Sequence, residues 1–185
     1  MQEIKYRTEF GSLLESLGLC GHAVEIGAAE CRHAQVLISQ PAITKLYIID
    51  GWSRLSQIGD GSNSDEWHAN NWKECQERIE QWKEKAIFLK GMSSAMIKQI
   101  PDDSLIFAYV DADHSYNGCF NDLINVYPKV KSGGVLALHD VRNLNYGVNR
   151  ALTTFLVQNG YGQECLHFTE EDGDELMVTA WFIKK

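Results

Sequence analysis

Several features are missing from this chain, and each absence removes a class of function. No apolar run approaches the roughly 20 residues that a bilayer-spanning helix needs. The opening stretch MQEIKYRTEF is charged and has no signal-peptide apolar segment. The expectation is a cytoplasmic protein with no membrane partner. Basic residues are scarce: 17 Lys and Arg stand against 25 Asp and Glu, for a net charge of -8. Nucleic-acid phosphates call for clustered cations, so a nucleic-acid partner is not expected. There is no C-x-x-C pair. The five cysteines, Cys20, Cys31, Cys75, Cys119 and Cys165, are scattered and odd in number. That pattern speaks against a disulfide framework or a zinc site, and the expectation is reduced thiols. No repeat, linker or low-complexity tract divides the 185 residues. One domain spanning 1–185 follows, long enough for a sizeable core.

What is present is an alternation of elements. Residues 3–17 read as an amphipathic helix with Phe10, Leu13, Leu14 and Leu17 on one face, stopped at Gly18. This N-terminal helix, 1–18, is open as a lid or as a dimer element of a homo-oligomer. HAVEIG, KLYIID, AIFLKG, LIFAYVDAD and GGVLALHD read as strands with helical segments between them. Continuously apolar strands alternating with helices are the sequence form of a parallel sheet covered on both faces. The chain ends differently. ECLHFTEEDGDELMVTAWFIKK reads as two strands around Asp172-Gly173, an antiparallel hairpin. Residues 51–71 are polar and rich in Gly, Ser, Asn and Asp, and read as a long irregular segment and a candidate lid.

Chemistry-bearing residues collect at strand ends. VEIGAAECRHA places Glu25 and Gly27 between a strand and a helix, where a parallel sheet binds cofactors. A dinucleotide site would want G-x-G-x-x-G, and Gly27 stands alone. Asp50 ends the second strand, where a carboxylate can accept two ribose hydroxyls or cap the next segment. Strands four and five should be neighbours. Their ends then bring Asp111 near His139 and Asp140, with Asp113 and His114 just beyond. Alternation should turn Asp111 and Asp113 to one side. Such a set suits Mg²⁺, Mn²⁺ or Ca²⁺, or else caps helices and orients loops.

Taken together, VEIGAAECRHAQVL, LYIIDGW and VDADHSYNGCFNDLINVYPKVKSGGVLALHD resemble the class I S-adenosylmethionine (SAM) dependent methyltransferases. More narrowly they are similar to the small branch grouped with macrocin O-methyltransferase and cephalosporin hydroxylase-like proteins. The resemblance runs from about residue 7 onward. It implies a three-layer, Rossmann-like α/β fold. The sheet would be mostly parallel and seven-stranded, its last strand inserted antiparallel between strands five and six. It implies that Glu25 and Gly27 line the methionine part of the cofactor and Asp50 the ribose. Gly91, Met92 and Ser93 would approach the adenine. Asp111, a cofactor contact as well, would join His139 and Asp140 as ligands of Mg²⁺ or another divalent cation, and Asp113 would be the general base with His114 beside it. Cys31 stands where the family usually has a further glycine. His139-Asp140 stands where metal-using relatives often have two aspartates. The Asn/Asp-Pro-Pro-aromatic motif of many N-methyltransferases is absent, which leans toward an oxygen acceptor. The expected activity is methyl transfer from SAM to a small-molecule hydroxyl. Competing readings are a non-catalytic member of the fold and an NAD-dependent oxidoreductase.

Overall fold

A computed structural model of the chain describes residues 3–53, 64–170 and 177–185. In chain order the elements are α1 (Phe10–Ser16), β1 (Gly21–Ile26), α2 (Arg32–Ser39), β2 (Ile43–Asp50), α3 (Asp65–Ile79), β3 (Ala86–Lys90), α4 (Ser93–Met96), β4 (Leu105–Val110), α5 (Tyr116–Val126), β5 (Val130–Leu138), α6 (Val148–Gln158), β6 (His167–Phe168) and β7 (Ala180–Ile183). The sheet order is β3-β2-β1-β4-β5-β7-β6. β1 to β5 are parallel, and β7 runs antiparallel between β5 and β6. This is the seven-stranded Rossmann-like sheet expected from the sequence. The expected closing hairpin is present as the β6–β7 pairing; its turn, with Asp172-Gly173, lies outside the described residues.

Burial on both sheet faces explains the unbroken apolar strands. Every residue of β4 is buried. Phe107 and Tyr109 face a cluster built from α1, α2 and α3, while Ala108 and Val110 face one built from α5 and α6. Phe10 anchors α1 in the first cluster, with its ring 4.9 Å from that of Phe107. Fully burying such a side chain contributes about 1.5–3 kcal/mol.

Three sequence expectations change. The first helix is shorter than 3–17. Glu9 accepts the amide protons of Lys5 (2.6 Å) and Tyr6 (3.0 Å), so a 3-10 turn at Arg7–Glu9 precedes α1. The irregular segment 51–71 is also shorter. Ser64 accepts the Trp67 amide proton at 3.1 Å and starts α3 at Asp65, with Asp65 and Glu66 in its first turn. Residues 54–63 of the candidate lid lie outside the described residues. Finally, Cys31 and Cys75 are not reduced thiols but form a disulfide, their Cα atoms 4.8 Å apart. The odd count and missing C-x-x-C exclude a framework, not one bridge between distant elements. Cys20, Cys119 and Cys165 are free. Among the described residues, no helix is long and apolar enough to cross a membrane.

Candidate active site

The sheet order reverses between β1 and β4, and a crevice opens there beyond the strands' carboxyl ends. A cavity of about 830 Å³ occupies it. Gly27 makes the crossing from β1 tight. Its φ is +88°, and a side chain there would collide with the Asp111 carbonyl. The following loop stays unusual, with Ala29 at φ 44° and Cys31 at φ 62°. Three ties hold that loop. Cys31 is bridged to Cys75 on α3, Arg78 donates to the Glu30 carbonyl at 2.9 Å, and the Trp52 indole donates to the Ala29 carbonyl at 2.7 Å. Asp50 is held by the same structure. One carboxylate oxygen accepts from the Ala29 amide at 2.8 Å and the other from the Trp52 amide at 2.7 Å.

Around the cavity, Gly91, Met92 and Ser93 form one side and α5 another. Asp122 of α5 is buried and accepts from the Ser93 hydroxyl at 2.5 Å. Burial, with Asp113 adding to it, pushes the Asp122 carboxyl up to about 6 despite that bond. Trp67, His68 and Tyr146 also contribute to the lining.

Beyond β4 lies a cluster of acids and imidazoles. His114 Nε2 is 3.3 Å from Asp111 Oδ1 and 3.2 Å from Asp140 Oδ2, and the ring stacks on Tyr146 at 4.4 Å. Burial raises the Asp111 carboxyl, but the His114 hydrogen bond and neighbouring cationic charge outweigh it and hold it below the usual carboxylate range. One donor atom each from Asp111, His114 and Asp140 lies within 4.8 Å of the others. His139 turns elsewhere. Its Nε2 is 3.1 Å from Arg7 Nη1 and its Nδ1 is 3.1 Å from Thr179 Oγ1. Burial pushes this imidazole down to about 4, with Asp111 opposing the fall.

A model of the methyltransferase domain matches residues 19–141, two thirds of the chain and the whole β1–β5 core. The chain belongs to the methyltransferase domain family. No match was found among curated proteins. Solved structures agree on the fold. The O-methyltransferase NovP shares 16% identity at a TM-score of 0.70, covering 97% of this chain and 78% of its own. An O-methyltransferase from Bacillus cereus, solved with SAH, shares 14% at 0.66, covering 96% and 80%. A proposed rRNA methylase from Clostridium thermocellum shares 10% at 0.65, covering both chains fully. A SAM-dependent methyltransferase is what the family and the fold support.

In this methyltransferase domain, Gly27, Asp50, Gly91, Met92, Ser93, Asp111 and Asp113 all line the cavity. Glu25 does not. Its carboxylate is buried behind β1, where Oε1 pairs with His33 Nδ1 at 3.0 Å and Oε2 has no hydrogen-bond partner among the described residues. Burial raises its pKa. Asp111 and Asp113 both face this cavity although β4 ends at Val110, so strand alternation is not what directs them. Asp113 also accepts the Ser115 amide proton at 2.8 Å at the start of α5. Sequence reasoning passed over Arg7, His33, Tyr146 and Asp122. Only Asp122 carried a readable signal, a carboxylate on the apolar stripe of Cys119, Leu123 and Val126.

Proposed function

We propose that this domain transfers the methyl group of SAM to a hydroxyl of a small-molecule acceptor. It would stand in the branch resembling macrocin O-methyltransferase and cephalosporin hydroxylase-like proteins. The observation that carries the reading is adjacency. The cavity lined by Gly27, Asp50 and Gly91–Ser93 shares Asp111 and Tyr146 with the neighbourhood of His114 and Asp140.

Asp50 takes the ribose hydroxyls on the lone pairs that Ala29 and Trp52 leave. Gly91, Met92 and Ser93 receive the adenine. Gly27 lets the methionine part pass close to the backbone, over Glu25. Methyl transfer is an in-line displacement, so holding the acceptor oxygen against the methyl carbon supplies much of the rate. His114, which adjoins the cavity through Asp111 and Tyr146, is taken as the proton acceptor rather than Asp113, which lines it. Its imidazolium would sit between Asp111 and Asp140, which stabilise it, whereas Asp113 is engaged at the start of α5.

The same three groups fit a divalent cation in place of the imidazolium, and with a cation bound His114 would be a ligand and Asp113 the base. Asp111 and Asp140 offer hard oxygens, with His114 completing three ligands. His139, expected among them, has its ring nitrogens on Arg7 and Thr179. A bound Mg²⁺ or Mn²⁺ would lower the acceptor's pKa.

Titration calorimetry with SAH tests the cofactor assignment. Wild type should bind SAH, with NAD as the non-binding control. Asp50→Ala should weaken SAH about 10- to 100-fold, the worth of hydrogen bonds to a charged group. Undiminished affinity in Asp50→Ala would remove Asp50 from the ribose.

A further inference from the structure

The N-terminal 3-10 turn is fastened at Arg7 by two histidines, one of which, His139, adjoins Asp140 of the carboxylate–histidine cluster. His33 Nε2 lies 3.3 Å from the Arg7 carbonyl, and its other nitrogen is on Glu25. His139 Nε2 lies 3.1 Å from the Arg7 guanidinium. A guanidinium has only donors. The nitrogen facing it must therefore accept, which places the His139 proton on Nδ1. That N–H donates to Thr179 Oγ1 at 3.1 Å, and the same oxygen is 3.1 Å from the Tyr109 hydroxyl. A neutral imidazole has one in-plane lone pair on its unprotonated nitrogen. In His139 that lone pair is spent on Arg7.

A metal ligand needs the same lone pair. His139 Nε2 lies 3.6 Å from Asp140 Oδ1, close to the separation of about 3 Å between adjacent ligands of one small cation. His139 thus faces Asp140 Oδ1 while His114 faces Oδ2, and to join an ion held by Asp140 it must both release its electron pair and turn toward the cluster. We propose that Arg7 and a divalent cation compete for His139. With the turn docked, the cation-binding set is Asp111, His114 and Asp140; with the Arg7 guanidinium removed, His139 joins it as a fourth ligand. Arg7 is then a positioning residue that fixes the His139 tautomer and sets the strength of the cation site.

This inference rests on the cation reading of the cluster, and the experiment separates the two. Mn²⁺ binding to the apo protein is measured by electron paramagnetic resonance for wild type, Arg7→Met and Arg7→Ala, with SAH calorimetry reporting the fold of each. Arg7→Met keeps the aliphatic stem and loses every donor. Both variants should bind Mn²⁺ about tenfold or more tightly than wild type, the scale on which a metal's surroundings tune affinity. Adding His139→Ala to Arg7→Met should abolish the gain. Equal Mn²⁺ affinity in wild type and both variants overturns the competition while sparing the cation site. A gain that survives His139→Ala overturns it too, leaving only relief of charge repulsion. No Mn²⁺ binding in any of them removes the cation site and the competition with it. Wild-type protein gives a readout that needs no variant. The ¹⁵N shifts of the His139 ring should report the Nδ1–H tautomer, and an Nε2–H tautomer would overturn the assignment.

Discussion

Asp111, Asp113 and Asp122 line one cavity yet meet different surroundings. Asp111 is paired with the His114 imidazole, Asp113 caps a backbone, and Asp122 is buried against a hydroxyl. For Asp122 the consequence is a pH dependence of stability with a defined sign. Its folded pKa of about 6 lies above the ordinary carboxylate value. The folded state therefore holds the proton more tightly than the unfolded chain does. That stability is fully present below about pH 4 and is lost as pH rises through 6, on the order of 3 kcal/mol in all. Asp122→Asn has no such proton to lose. Chemical denaturation at pH 4.5, 6 and 7.5 should show the variant gaining on wild type across that window; parallel curves would contradict the assignment. The neighbouring pair sorts by turnover once an acceptor is identified. His114→Gln should cost about 10²–10⁴ in rate, the usual loss of a general base. Asp113→Asn should cost only a few-fold, because an asparagine oxygen can still accept the Ser115 amide proton. The reverse order would return the base to Asp113.

At the scale of elements, the loop after β1 depends on α3. The Cys31–Cys75 bridge, Arg78 and the Trp52–Trp72 contact at 4.5 Å tie them together. A bridge spanning 44 positions removes about 4 kcal/mol of unfolded-chain entropy in the loop-closure model. Reductant should then lower Tm by on the order of 10 °C for a domain of this size. It should also weaken SAH, since Gly27 and Ala29 sit on the released loop. Cys75→Ser should match the reduced wild type and lose its response to reductant. An unmoved Tm would mean that the two thiols do not pair in solution. In a reducing compartment the bridge would be opened, so its state bears on where the protein works. The parallel strands were legible because both faces are covered, leaving unbroken runs such as LIFAYV. The same sequence hid the bridge, since 44 positions give no spacing signal. It hid the start of α3 because polar composition outweighed the Ser64 cap. It did not show that Asp113 takes the Ser115 amide proton, a bond that forms past Val110, where the strand stops. Arg7 could not be found at all: one arginine in a turn gains meaning only when the fold brings His139, 132 positions away, against it.

For the whole molecule, the choice is between a small acceptor and a polyanion, and one structural neighbour is a proposed rRNA methylase. Charge separates the two. The domain carries a net charge of -8. Its cavity is lined by Asp50, Asp111, Asp113 and Asp122, so a phosphate backbone laid across the opening would meet carboxylates. Several cations are already occupied by the protein itself. Lys129 pairs with Asp102 at 2.6 Å, Lys184 donates to the Val130 carbonyl at 2.6 Å, and Arg32 pairs with Glu30 at 2.5 Å. RNA affinity comes mainly from neutralised phosphates, each adding close to one unit to the salt slope. With SAH saturating, a structured rRNA fragment should therefore bind no tighter than about 10⁻⁴ M at physiological salt, with a shallow dependence on ionic strength. Fluorescence anisotropy over a salt series measures both quantities. Sub-micromolar binding with a steep salt slope would require a cationic surface that this charge balance does not predict. It would move the proposed acceptor from a small molecule to RNA while leaving the cavity as described.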